Sequence, residues 1–174
     1  MKYIGLILSF IFSTFLFISY TTAKESVMQL TSTAFEPEGR IPDQYTCKGE
    51  NKSPDLSWNN TPKGTRSLAL IVDDPDAPGG TFTHWVAFNI PANQNFLAEN
   101  NAIGFPQGRT SFGTLGYNGP CPPQGHGSHR YYFKLYALDT IFPAHPDIDK
   151  EQLLKAMEGH ILDHTELMGT YEVK

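Results

Sequence analysis

The sequence predicts a mainly β fold: an antiparallel β-sandwich with a C-terminal α-helix. Three observations lead there. Gly and Pro are abundant, 15 and 13 among 174 residues, which suits a turn-rich β protein better than a helical bundle. Several segments rich in β-branched and aromatic residues are separated by turn chemistry. Only one segment, late in the chain, carries helical periodicity. The length and the 40% hydrophobic content fit one domain with a real core. With 12 Phe, 8 Tyr and 2 Trp against 18% charged residues, disorder is excluded for most of the chain.

Residues 1–23 read as a secretory signal. Lys2 supplies a short positive start, Ile4 to Ile18 is a stretch dominated by Ile, Leu and Phe, and Thr21-Thr22-Ala23 offers small residues for cleavage. The alternative is an uncleaved anchor, but Ser9, Ser13, Thr14 and Ser19 interrupt the run and leave it short for a full membrane span. The expectation is a periplasmic or secreted chain whose domain covers 24–174. The cut removes one Lys and no acid, leaving 12 basic against 18 acidic residues and a net charge of −6. The basic excess of a nucleic-acid binder is missing.

Export bears on the two cysteines. In an oxidising compartment an even count points to a disulfide between Cys47 and Cys121, against the alternative of two separate buried thiols. A bridge across 74 residues would stabilise by roughly 3–4 kcal/mol in the chain-entropy model.

Ser67 to Asp73 is apolar on both parities, as in a central strand covered on both faces. Phe82 to Ile90, ended by Pro91, and Arg130 to Leu138 are two more strands; weaker candidates are Val27 to Thr31, Asp55 to Trp58 and Leu167 to Tyr171. A helix is predicted over Asp149 to Ile161. Asp149 is its N-cap with Gln152 at the third position, and Leu153, Leu154, Met157 and Ile161 form its apolar stripe.

Side chains two apart on a strand share a face. Asp74 continues the row of Leu68, Leu70 and Val72. His84 lies in the row of Phe82, Val86, Phe88 and Ile90. Tyr131 and His129 extend the row of Phe133, Leu135 and Ala137. If these rows face the core, the four polar residues gather at strand ends, where a site opens at the rim of a sandwich, and Asp76 can join its wall. Taken singly, each is more often a satisfied structural residue, and Asp before Pro often only caps a turn. Their convergence from three strands favours a site.

Several chemistries compete for this set. Two His and a carboxylate can bind a metal, but no His-x-His or His-x-x-x-His spacing occurs within the set, so no metal or other cofactor is assigned. No Gly-x-Ser-x-Gly elbow supports a hydrolase triad. Cys121, flanked by prolines and a candidate for oxidation, is a poor nucleophile, so no catalytic residue is assigned. A small anion site fits best: imidazoles, a Tyr hydroxyl and turn amides donate to phosphate or carboxylate oxygens, with the aspartates orienting the imidazoles. Arg130 has the opposite parity to His129 and Tyr131 and is expected to pair elsewhere.

The same segments resemble the phosphatidylethanolamine-binding protein family, also called Raf-kinase-inhibitor-like proteins. The resemblance runs through Asp74-Pro75-Asp76-Ala77-Pro78, His84-Trp85-Val86-Ala87-Phe88-Asn89-Ile90-Pro91, and Gly119-Pro120-Cys121-Pro122-Pro123 with His129-Arg130-Tyr131. Tyr45 to Asn51, Ser53 to Trp58, Gly159 to Leu162 and Leu167 to Tyr171 are similar to the bacterial and archaeal branch. Several long motifs in order make it a specific match over about Met28 to Glu172.

The resemblance implies a ligand site for phosphate-like anions at Asp74, Asp76, His84, Pro123, His129 and Tyr131. Cys121 stands on the same turn where animal members carry a small residue. It also implies a homodimer. Fold is fixed by such a likeness far better than function. The expectation is a binding protein for phosphate or a phospholipid headgroup, in peripheral contact with a membrane or with a partner protein that the sequence does not identify. The alternatives are a phosphate-ester hydrolase using His84 or His129 as proton carrier, and an inhibitor of a protease or kinase.

Overall fold

The structure, a computed structural model, describes residues 27–143 and 147–174. The predicted signal segment, residues 1–23, lies outside them. Among the described residues, seven strands and one α-helix follow in chain order: β1 Gln29–Thr31, β2 Leu56–Asn59, β3 Ser67–Asp74, β4 Phe82–Pro91, β5 Phe96–Leu97, β6 His129–Leu138, α1 Lys150–Met157 and β7 Ile161–Tyr171. All strand pairs are antiparallel, in a three-stranded sheet β1-β2-β5 and a four-stranded sheet β4-β3-β6-β7.

β3 is buried over all eight residues because both of its faces are covered. On one face Leu68, Leu70 and Val72 join Trp85, Ala87, Ile90, Phe133 and Leu135 against Leu30, Leu56 and Trp58 of the small sheet. On the other, Ala69 and Ile71 join Val86, Phe88 and Leu138 beneath Leu153 and Met157 of α1. Fully burying a Leu, Ile or Phe side chain contributes about 1.5–3 kcal/mol, so the two layers together hold the central sheet in place. Asp73 emerges on the helix side, 2% exposed, where Lys134 (3.2 Å), Lys150 (3.0 Å) and the Thr83 hydroxyl (3.2 Å) neutralise and satisfy its carboxylate.

Three elements differ from the sequence reading. The helix ends at Met157, not Ile161: after the Asp149/Gln152 capping box and two turns, Gly159 takes a positive φ of 77° and turns the chain back. Ile161 then opens β7, which is eleven residues long rather than the five of Leu167 to Tyr171. The short β5 was not expected. The Cys47–Cys121 disulfide is present, with Cα atoms 5.4 Å apart.

The predicted single row on β4 is also corrected. Val72 pairs with Trp85 and Asp73 with Thr83, which makes His84 the extra residue of a β-bulge. A second irregularity sits at Phe88 and Asn89, where Asn89 adopts φ 54°. Between these breaks the alternation is reversed, so Val86 and Phe88 face the helix while Trp85, Ala87 and Ile90 face the small sheet. His84 reaches the Tyr131 side of the sheet through the bulge, not through simple alternation.

Candidate functional site

The end of β3, the start of β4 and the start of β6 lie at one end of the four-stranded sheet, because the strands are antiparallel and adjacent. That alone brings Asp74, His84, His129 and Tyr131 together. The first three are each 3% exposed and Tyr131 is fully buried.

His84 is fixed from its Nδ1 side. The ring nitrogen lies 2.7 Å from the Asn118 carbonyl oxygen, which only accepts, so Nδ1 carries the proton. The Asn118 backbone N–H returns a bond of 2.9 Å to the His84 carbonyl. Burial pushes the His84 pKa below its ordinary 6.5, against the smaller opposing pull of the Asn118 carbonyl and Asp74. The ring is therefore neutral near pH 7, and a neutral ring protonated at Nδ1 presents a lone pair at Nε2.

His129 is held in the same way by a different partner. Its Nδ1 donates to Asp74 Oδ2 at 2.8 Å, both groups buried. The other Asp74 oxygen accepts the Asp76 backbone N–H at 2.8 Å, closing an Asx turn at the strand end. Asp76 faces outward and is taken by Arg130: the backbone N–H and Nε donate to Oδ2 at 2.9 Å each, and a terminal guanidinium nitrogen to Oδ1 at 2.6 Å. The Arg130 guanidinium holds the Asp76 carboxyl down at about 2. Arg130 thus pairs away from the imidazoles, as its parity requires, but on a residue assigned to the site.

Tyr131 places its hydroxyl in the protein interior with no hydrogen-bond partner among the described residues. Burial first, and then the Asp74 carboxylate, push its pKa upward, so it stays a neutral donor. The Tyr131 ring meets His84 edge-on at 5.2 Å between centroids. Phe82 and Phe112 pack on the same imidazole at 5.3 and 5.5 Å and on each other at 4.7 Å, and Phe112 remains 44% exposed.

The remaining assigned residues lie on the loop between Tyr117 and His129. Cys121 is consumed by the disulfide. Pro123 is exposed, and its carbonyl accepts the His126 N–H, in a turn that brings the His126 ring to 6.1 Å from that of His129. Sequence reasoning missed Asn118, which acts through its backbone carbonyl and carries no side-chain signature. It also missed Phe112, which sits in an irregular loop. Phe82 lay within reach of the parity argument, two residues before His84.

Chemically, the cluster offers three groups without an intramolecular partner among the described residues: two imidazole Nε2 atoms and one phenol. No group of three or more His, Cys, Asp or Glu there is arranged to hold a metal ion.

A two-sheet sandwich with buried imidazoles gathered at one end of its strands defines a class of small β-sandwich binding proteins. The profile described as phosphatidylethanolamine-binding protein matches residues 31–172, and the chain belongs to that family. It is 53% identical over 150 residues to a UPF0098 protein of Methanothermobacter thermautotrophicus, covering 83% of this chain and 98% of the relative. A UPF0098 protein of Chlamydia muridarum is 49% identical, with 83% and 99% covered. Among solved structures, a phosphatidylethanolamine-binding protein homolog from Chlamydia trachomatis superposes with a TM-score of 0.81 at 45% identity, covering 85% of this chain and 99% of that one. Escherichia coli YbcL, described as a member of the mammalian family, gives 0.81 at 32% identity, with 86% and 100% covered.

Proposed function

We propose that this chain is an exported, non-catalytic binding protein that takes a phosphate-like anion, free or as a phospholipid headgroup, on His84, His129 and Tyr131. The observation that supports this is the shared tethering of the two imidazoles. Each is fixed at Nδ1, by Asn118 or by Asp74, which leaves both Nε2 atoms and the buried Tyr131 hydroxyl for a ligand.

The tautomers set the proton count. The neutral His84 ring, protonated at Nδ1, accepts rather than donates at Nε2, so a phosphate dianion meets a lone pair there. Binding then requires a proton, either on a ring or carried by the ligand as the monoanion of a phosphomonoester, whose second pKa is about 6. The complex holds more protons than its separated parts, so affinity for glycerol 3-phosphate rises as pH falls from about 8 to about 5.5, by up to about tenfold per pH unit for one proton taken up. Calorimetric titration checks both claims. His84→Ala is expected to weaken binding by about ten- to a hundredfold, the loss of a charge-assisted hydrogen bond, with an unchanged circular dichroism spectrum. Equal affinity in the variant, or flat affinity across that pH range, would contradict the reading. Inorganic phosphate titrated in parallel tells a preference for free phosphate from one for an ester.

A further inference from the structure

The His84 imidazole is held by a loop that is itself held to a second loop. Asn118, which exchanges two hydrogen bonds with His84, sits between three attachments of residues 117–121 to residues 45–51. The Tyr117 hydroxyl donates to the Tyr45 carbonyl at 2.7 Å. The Gly119 N–H donates to Asn51 Oδ1 at 2.8 Å. The Cys47 N–H donates to the Pro120 carbonyl at 3.1 Å. The only covalent link between the loops is Cys47–Cys121, three residues from Asn118, and both cysteines are exposed. The same clamp therefore has a noncovalent part that is independent of redox state and a covalent part open to solvent-borne thiols.

We propose that the Cys47–Cys121 disulfide is a redox-controlled positioning element for His84: reduction loosens the Asn118 clamp and weakens ligand binding, without unfolding the domain. The step needs a dithiol reductant. One of its thiolates attacks a sulfur of the bridge and forms a mixed disulfide. Its second thiolate resolves that bond, leaving Cys47 and Cys121 as thiols and the reductant as a disulfide, with two electrons and two protons transferred. The three hydrogen bonds can still form after cleavage, but they open more often because the loop end beyond Asn118 regains the conformational freedom that the cross-link removed. An imidazole whose Nδ1 partner moves loses its fixed tautomer, and the Nε2 geometry with it.

The structural half of this inference stands on geometry alone; its effect on binding rests on the anion-site reading above. Two measurements on the full mature chain keep them apart. The first is amide hydrogen exchange and long-range imidazole NMR of His84 in oxidised and dithiol-treated protein, without ligand. Exchange at Asn118 and Gly119 is expected to accelerate at least about tenfold on reduction, and the His84 ring to lose its single Nδ1-protonated signature, while amides of β3 and β6 stay protected. The second is titration with glycerol 3-phosphate and with inorganic phosphate, expected to be about tenfold weaker after reduction. Cys47→Ser with Cys121→Ser should reproduce the reduced values and cease to respond to dithiol. Unchanged exchange at Asn118 and an unchanged His84 tautomer would overturn the inference even if phosphate binds. Loss of protection throughout the sheet on reduction would overturn it too, since the bridge would then be a global staple. Absence of binding in both redox states would overturn the anion-site reading and leave the clamp to be judged by exchange.

Discussion

Asp74→Ala is expected to lower stability by about 3 kcal/mol, because it removes one partner of a buried pair and leaves His129 Nδ1 and the Asp76 N–H without an acceptor. For a domain of this length that corresponds to a fall of about 6–12 °C in the unfolding midpoint, readable by calorimetry. The cost arises from the groups left behind more than from the attraction lost, since the aspartate and the histidine are both almost fully buried. Asp74→Asn keeps one carbonyl acceptor and is expected to recover much of the stability. On the anion-site proposal it is not expected to restore ligand binding, because a neutral amide no longer enforces Nδ1 protonation on His129 and the ring can present either tautomer. An alanine variant as stable as wild type would mean that water satisfies His129 in place of the carboxylate.

Gly119→Ala is the second large effect. A Cβ at this position would lie 2.2 Å from the Tyr45 carbonyl oxygen, 2.8 Å from the Thr46 Cα and 2.9 Å from Asn51 Oδ1. The first two are backbone atoms that no rotamer change can move. One loop must be displaced from the other, and the displaced loop carries Asn118, the anchor of His84. A loss of about 3 kcal/mol is expected, at the upper end for overpacking, together with loss of the single His84 tautomer. The same substitution at Gly125, where a Cβ would meet nothing within 4 Å, serves as the control, although its φ of 83° adds a local strain of about 1 kcal/mol. A stable Gly119→Ala variant with an unaltered His84 ring would contradict the two-loop clamp.

β3 was readable because burial on both faces writes an unbroken apolar run, and β4 and β6 because β-branched and aromatic residues run between turn signals; the sandwich with one helix followed from them. The first half of β7 was not readable. Ile161 lies four residues after Met157 and completes a helical stripe, so periodicity favoured the helix until Gly159 broke it. Residues 161–166 are mostly exposed or half-buried, so no buried alternation marks them as strand. Within the candidate site, Asp74, His129 and Tyr131 followed from strand parity. His84 was placed on the right side of the sheet by a rule that its own bulge breaks. A bulge changes pairing, not composition, so the sequence carries no mark of it. The restraint on His84 is a backbone carbonyl 34 residues away, and a carbonyl has no residue type to recognise.

The central claim is that His84 and His129 receive a phosphate-like group on their Nε2 atoms. Long-range proton–nitrogen spectra of the imidazoles, recorded while glycerol 3-phosphate is added, test it most directly. The account predicts that the Nε2 signals of His84 and His129 move together towards hydrogen-bonded or protonated values, with Nδ1 staying protonated, while those of exposed His160 and His164 stay in place. If saturating ligand leaves both Nε2 signals unchanged, or shifts all histidines alike, the anion site is not where His84, His129 and Tyr131 meet.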